Sequence, residues 1–111
     1  VGSMMSPIYS AAKWGVVGLT KSLALAFAAD NIRVNVVCPG LADTPMKAGF
    51  TGRSGDPAEA AANEAKMAGA ELMARPVRPG ESADRALWLA SDEASFVTGV
   101  ALPVDGGFTA R

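Results

Sequence analysis

Tyr9 and Lys13 stand four residues apart near the start of the chain. In a helix that spacing puts both side chains on one face, one turn apart. A protonated amine beside a phenol favours the phenolate and draws the phenol pKa down from about 10. A phenol tuned in this way can give a proton to a carbonyl oxygen or take one from a hydroxyl. The same spacing occurs on many solvated helix faces, so the chemistry depends on what surrounds the pair.

The elements that must position the pair follow from local signals. Ser6-Pro7 reads as a helix start, a hydroxyl cap followed by Pro at the first helical position, where its missing N–H costs nothing. The helix is expected to run from Pro7 to Ala29 and to stop near Asp30-Asn31, with Asn as a left-handed cap. Its apolar residues, among them Trp14, Val17, Leu19, Leu23, Leu25 and Phe27, do not fall on one stripe, so the helix is expected to be covered on two sides. One cover would be its own sheet and the other another subunit. Ile32 to Cys38 is rich in β-branched residues and reads as an inner strand of a parallel sheet, ended by Pro39-Gly40. Leu41 to Gly55 is loop-like. Asp56-Pro57 begins an Ala-rich helix to about Met73, and Ser82 caps a short helix to about Ser91. Val100 to Val104 is a last strand, closed by the turn Asp105-Gly106-Gly107, whose glycines supply positive φ.

Composition narrows the function classes. Half of the 111 residues are hydrophobic, and ten basic against eleven acidic residues leave a formal charge of −1. The chain therefore has the apolar content for a packed core, and no basic stripe points to nucleic acid or to an anionic membrane. With no His and a single Cys, the usual Cys/His metal sites, a His-based triad and an internal disulfide are excluded. Cys38 sits where a strand enters the core and reads as packing. The stretch Trp14–Ala29 is interrupted by Thr20-Lys21-Ser22 and is short for a membrane span. The expectation is a soluble, cytoplasmic protein with no membrane segment.

The order helix, strand, helix, helix, strand is α/β, but two strands do not make a stable doubly wound sheet. Val1 to Met5 looks like the middle of a loop. The fold expected is therefore the C-terminal half of a Rossmann-type doubly wound parallel sheet, with residues 1–111 the later portion of one NAD(P)-binding domain.

These residues resemble the short-chain dehydrogenase/reductase family. The Tyr-x-x-x-Lys motif is Tyr9 and Lys13. Asn31 to Gly40 is similar to that family's "I-R-V-N-x-V-x-P-G" strand and turn, and Leu41-Ala42-Asp43-Thr44-Pro45-Met46 to the segment after it. Arg75-Pro76 through Pro79-Gly80, Leu89 to Asp92, Phe96 to Gly99 and Val104 to Gly107 match further signatures in order. The resemblance spans almost the whole chain and is weakest from Lys47 to Met73. The family's Gly-rich phosphate loop, the residue that selects NAD or NADP, and the catalytic Asn and Ser are not among these residues. Ser3 and Ser6 lie too close to Tyr9 to take the place of that Ser.

The resemblance implies an oxidoreductase moving hydride between NAD or NADP and a secondary alcohol or ketone, with no metal. Tyr9 would be the general acid/base, and Lys13 would assist it and bond the nicotinamide ribose. Pro39 and Gly40, at the carboxyl end of a strand, would border the cofactor. Ala42, where the family often has Val or Ile, would bond the carboxamide through its main chain. Thr44 would donate its hydroxyl to the carboxamide or pyrophosphate, or else cap the next helix. Met46, Phe50, Met67 and Met73 are either an adaptable substrate wall or ordinary core. A homodimer or homotetramer is implied. The alternative is a catalytically incompetent fragment or a non-enzymatic binding module of the same fold.

Overall fold

The computed structural model describes residues 6–52 and 55–110. Val1 to Met5, including Ser3, lie outside the described residues. The chain divides into two compact units. One consists of Ala86–Leu102 and the residues up to Val37, the other of Cys38–Arg85 and the residues from Pro103 onward.

In the first unit, helix α1 runs Pro7–Phe27, with Pro7 in its first turn. The Ser6 hydroxyl does not cap it. Instead, the Ser6 carbonyl accepts from the Ser10 N–H at 3.0 Å, beginning the helical ladder. The helix closes through a single 3₁₀ turn, Ala28–Asp30, and Asn31 takes the left-handed conformation (φ 58°) that the sequence predicts. Only Thr20 and Ala24 are buried along α1. The Thr20 hydroxyl is satisfied within the helix by the Val16 carbonyl at 2.9 Å. Ala24 lies against Gly99 (φ 73°), where an added Cβ would stand 3.4 Å from the Ala24 Cβ. Trp14, Leu19 and Leu25 stay exposed, Leu25 by 84%. The strip Thr20/Ala24 is thus the part of α1 that this chain covers.

The strand expected from Ile32 begins only at Val36, as β1, Val36–Pro39. The reason is that Arg33 and Asn35, on either side of Val34, make their cross-links through side chains. The Arg33 guanidinium donates to the carbonyls of Leu89 (2.6 Å), Ser91 (3.0 Å) and Val97 (3.4 Å). Leu89 lies in the last turn of α4, Pro79–Ala90, which has no basic residue of its own there. Arg33 therefore supplies both the missing donors and the positive charge that a helix carboxyl end favours. The Asn35 side chain acts as a stand-in peptide group: its NH₂ donates to Val97 O (2.9 Å), and its carbonyl accepts from the Val100 N–H (3.1 Å). Gly99 N–H donates to Val34 O at 2.7 Å.

Strand β2 is Ala101–Val104 and is the hydrogen-bonded neighbour of β1. Val36 N–H donates to Val100 O in the first unit, and Gly40 N–H to Val104 O in the second. Residue numbers rise together along the two strands, so the pair is parallel.

The second unit carries the short helix α2, Lys47–Thr51, inside the segment expected to be loop, and α3, Pro57–Gly69. Asp56 caps α3 through Ala58 N–H, as the Asp-Pro signal predicts. The helix stops at Gly69 rather than near Met73, because Glu71 leaves the helical path for the interior and Ala74 takes φ 50°. Helix α4 starts at Pro79, three residues before the predicted cap. Ser82 is inside it with a buried hydroxyl that has no partner. The start is held instead by Glu81, which accepts from the Arg78 N–H at 2.9 Å, half of a capping box.

Replacing Arg33 by Met keeps its stem but strands the carbonyls of Leu89 and Ser91. The expected loss is about 2–3 kcal/mol, the scale of hydrogen bonds to a charged donor. A urea titration checks it, and an unchanged midpoint would remove the clamp from the account.

Candidate functional site

Helix α1 places Tyr9 and Lys13 one turn apart, and the structure brings them together. The Lys13 ammonium lies over the Tyr9 ring, 5.4 Å from its centroid, within the range of a cation–π contact. Tyr9 is 43% exposed. The structure thus places the ammonium on the ring face of a half-exposed tyrosine.

Pro39, Gly40, Ala42 and Thr44 belong to the second unit, in the loop that leaves the carboxyl end of β1. Each is anchored by its neighbours. Ala42 forms an isolated parallel bridge with Val77. Its bonds are made by the flanking residues, Val77 N–H to Leu41 O at 2.8 Å and Asp43 N–H to Val77 O at 2.9 Å. The N–H and C=O of Ala42 itself therefore point away from Val77. The Ala42 carbonyl accepts from Thr44 N–H at 2.9 Å. Thr44 does not cap the following helix, since the cap position of α2 is Met46. That removes one of the two readings the sequence left for Thr44.

The reason for glycine at position 40 lies inside the protein. Its φ is not positive. A Cβ there would run into the Glu71 carboxylate and stand 3.0 Å from the Asp105 Cα. Glu71 is 4% exposed, and its Oε1 accepts from the Leu41 N–H at 2.7 Å. The second oxygen, Oε2, is buried without a partner. On the other side of the loop, Asp105 is buried and organises the turn that follows β2. It accepts from the N–H groups of Gly107 (3.1 Å) and Thr109 (3.0 Å) and from the Thr109 hydroxyl (2.6 Å). Gly106 and Gly107 take φ 57° and 87°. The Thr109 hydroxyl, followed by the turn amides, holds the Asp105 carboxyl below the usual carboxylate range.

The segment from Met46 to Met73 is tied to this loop by polar contacts. Lys47 bridges Asp43 (2.9 Å) and Glu64 of α3 (2.6 Å), and Glu64 and then Asp43 raise its pKa. Asn63 donates to the Thr51 carbonyl at 3.0 Å. Met46 and Met73 are exposed by 69% and 63%, so they are not core of this chain. Beyond the bridge, Arg75 forms a two-pronged pair with Glu81, at 2.9 and 2.8 Å. That pair, followed by Arg78, holds the Glu81 carboxyl well below its ordinary range.

Sequence reasoning found the Asp105-Gly106-Gly107 turn but not Glu71, Arg33 or Asn35 as organising residues. Glu71 looks like one more solvated acid in an Ala/Glu helix. Arg33 and Asn35 gave a signal, as the polar positions of an alternating strand start.

A helix bearing the Tyr/Lys pair and a loop at the carboxyl end of a parallel strand define an α/β protein of Rossmann type. The chain matches, over residues 1–109, the family model described as enoyl-(acyl carrier protein) reductase. It is 50% identical over 110 residues to cis-4-hydroxycyclohexanecarboxylate dehydrogenase of Sinomonas cyclohexanicum, covering 99% of this chain and 41% of that protein. Among solved structures it is similar to the aldohexose dehydrogenase of Thermoplasma acidophilum, with a TM-score of 0.83, 40% identity, and coverage of 93% of this chain and 41% of that one. It is also similar to a 2-deoxy-D-gluconate 3-dehydrogenase of Agrobacterium tumefaciens with bound NADP, with a TM-score of 0.81, 37% identity, and coverage of 95% and 40%. The chain belongs to the short-chain dehydrogenase/reductase family. It spans about two fifths of the length of the curated relatives it matches. Among the described residues no helix is long and apolar enough to cross a membrane.

Gly40→Ala must displace the Asp105 backbone as well as the Glu71 side chain. Overpacking of this kind costs about 1–3 kcal/mol, read as a lower urea midpoint. A midpoint equal to the parent's would show that the loop yields freely. A second expectation concerns acid. Folded Glu81 stays ionised to lower pH than in the unfolded chain, so the unfolded state binds more protons there. The stability contributed by its pair is complete above the ordinary carboxylate pKa of 4.5 and is lost as pH falls further. Glu81→Gln should lower stability at neutral pH and flatten the acid decline. Parallel pH slopes in denaturant titrations of the two proteins would contradict this.

Proposed function

We propose that the protein is a NAD(P)-dependent oxidoreductase that interconverts a secondary alcohol and a ketone, with Tyr9 as general acid/base and Lys13 as its partner. We further propose that this chain contributes the later portion of a single NAD(P)-binding domain. The observation that carries the reading is the contact between the Lys13 ammonium and the Tyr9 ring, in a chain that belongs to a family of dehydrogenases and reductases. An NADP-bound neighbour supports the cofactor class.

The residues of the strand-end loop fit a nicotinamide. Ala42, with its main-chain N–H turned from Val77 and its C=O keeping a second lone pair beside the bond from Thr44 N–H, offers the donor and acceptor that a carboxamide requires. Its small side chain costs nothing, because the bonds come from backbone. Pro39 and Gly40 border the same edge at the carboxyl end of β1, where open α/β sheets place their ligands. Thr44 supplies a hydroxyl two residues further on.

The cofactor, when bound, supplies or accepts the hydride. The chain's own task is the proton. In reduction Tyr9 donates its phenolic proton to the carbonyl oxygen, and in oxidation its phenolate takes the proton of the substrate hydroxyl. Lys13, as a cation one turn away, stabilises the phenolate through its charge and presents N–H donors to the ribose hydroxyls. The partly exposed position of Tyr9 supports approach by a small alcohol or ketone. The apolar residues left exposed along α1, Trp14, Leu19 and Leu25 among them, support self-association through this helix.

The test is a pair of substitutions in the protein. Tyr9→Phe removes the proton and keeps the ring under Lys13. Turnover should fall at least about a hundredfold, the lower range of general acid/base contributions, with NAD(P) affinity nearly unchanged. Lys13→Met should damage both turnover and cofactor affinity. Full activity in Tyr9→Phe would end the proton-transfer reading.

A further inference from the structure

We propose that Glu71 is a positioning residue for the cofactor loop: its carboxylate sets the orientation of the Gly40-Leu41 peptide, and through it the direction in which Ala42 presents its main chain. The proposal rests on the function proposed above and adds a residue that the sequence gave no reason to single out.

The geometry is local to one unit. Glu71 is 4% exposed, and among the described residues Arg75 acts on it only through charge, without a direct ion pair. Its Oε1 takes the Leu41 N–H at 2.7 Å. Gly40 lacks the Cβ that would exclude the carboxylate from this place. Gly106 lacks one that would stand 3.3 Å from Oε2. Two glycines on two different segments therefore make room for this one side chain.

The position of Glu71 is itself held. Met73 N–H donates to Gly106 O at 3.0 Å, and Ala74 N–H to Glu71 O at 3.0 Å. Val77 N–H then closes on Leu41 O at 2.8 Å. Leu41 is thus gripped at its amide by Glu71 and at its carbonyl by Val77, both from the segment that follows α3. The Leu41 carbonyl and the Ala42 N–H share one planar peptide, which Val77 orients directly, while Glu71 fixes the peptide before it; with both held, Leu41 keeps one backbone conformation and Ala42 one direction.

The cost of this arrangement argues that it is kept for positioning rather than for stability. Oε2 is buried without a partner, and an unsatisfied buried carboxylate oxygen opposes folding. An apolar side chain of similar size would remove that penalty but strand the Leu41 N–H, so the two costs oppose each other and the net gain in stability from Glu71 is small. A role confined to stability predicts that a folded apolar variant binds cofactor as the parent does. A positioning role predicts that it folds and binds cofactor poorly.

The experiment compares Glu71→Leu, Glu71→Asp and Glu71→Gln in the protein as it naturally occurs. It measures NADH and NADPH binding by fluorescence, kcat at saturating cofactor, and hydrogen exchange of the Leu41 amide. Leu cannot accept the bond, and Asp is one methylene too short to reach it. Both should weaken binding of the preferred nucleotide about tenfold, the scale of one hydrogen bond to a charged group, with kcat within about twofold and faster exchange at Leu41. If Leu fails to fold, Asp carries the same test. Gln keeps an acceptor and should restore binding to within about threefold and protect Leu41 again. Wild-type protein that binds neither nucleotide would overturn the proposed function and this role with it. Wild-type binding matched by both Leu and Asp, or a Gln variant as weak as Leu, would overturn the positioning role alone.

Discussion

A backbone amide or carbonyl taken from water must find a partner, and two four-residue strands leave many such groups outside any ladder. Most of the described structure follows from how the chain meets that demand. Arg33 serves the carbonyls at and beyond the end of α4, and Asn35 inserts its side-chain amide where a peptide would stand. Glu71 accepts the Leu41 amide, Asp105 gathers the amides of the final turn, and Glu81 takes the first amide of α4. Each is a polar side chain doing what a neighbouring strand does in a wider sheet.

The same demand shapes the candidate site. A loop at the carboxyl end of a strand can present main-chain groups to a ligand only if its other groups are already committed. Leu41 is committed to Glu71 and Val77, and Asp43 to Val77. Ala42 between them turns away from the bridge. The glycine at position 40 belongs to this logic as well, because the space beside it holds the Glu71 carboxylate and the Asp105 backbone. The residues proposed to face the cofactor and those that pack inside thus adjoin one another. The helix that carries Tyr9 and Lys13 works under a different constraint. It is stable as a long helix with two buried positions, Thr20 and Ala24, and shows most of its apolar side chains.

Much of this was legible in the sequence. Pro7 and Asn31 bracketed α1 because their backbone restrictions act locally, whatever the tertiary context. Asp56-Pro57 marked the start of α3, and Asp105-Gly106-Gly107 a positive-φ turn, for the same reason. Three readings failed because they treated a local signal as sufficient. Ser6 is followed by Pro at the first helical position but its hydroxyl is not recruited. Ser82 precedes an apolar run but lies within a helix that Glu81 had already started. The helix expected to reach Met73 stops at Gly69, since burial of Glu71 outweighs the helical preference of its neighbours.

The sequence by itself determined the types of the longer elements, the parallel α/β class, and the one-turn spacing that lets Lys13 reach Tyr9, but not the short helix α2. These depend on backbone preferences and short periodicities carried by neighbouring residues. Only the tertiary structure decided which polar residues are structural keystones. Arg33 meets carbonyls 56 to 64 residues away, and Glu71 meets an amide 30 residues away. No spacing within a helix or strand encodes partners so distant. Their pairing is settled when buried backbone groups compete for the few side chains within reach.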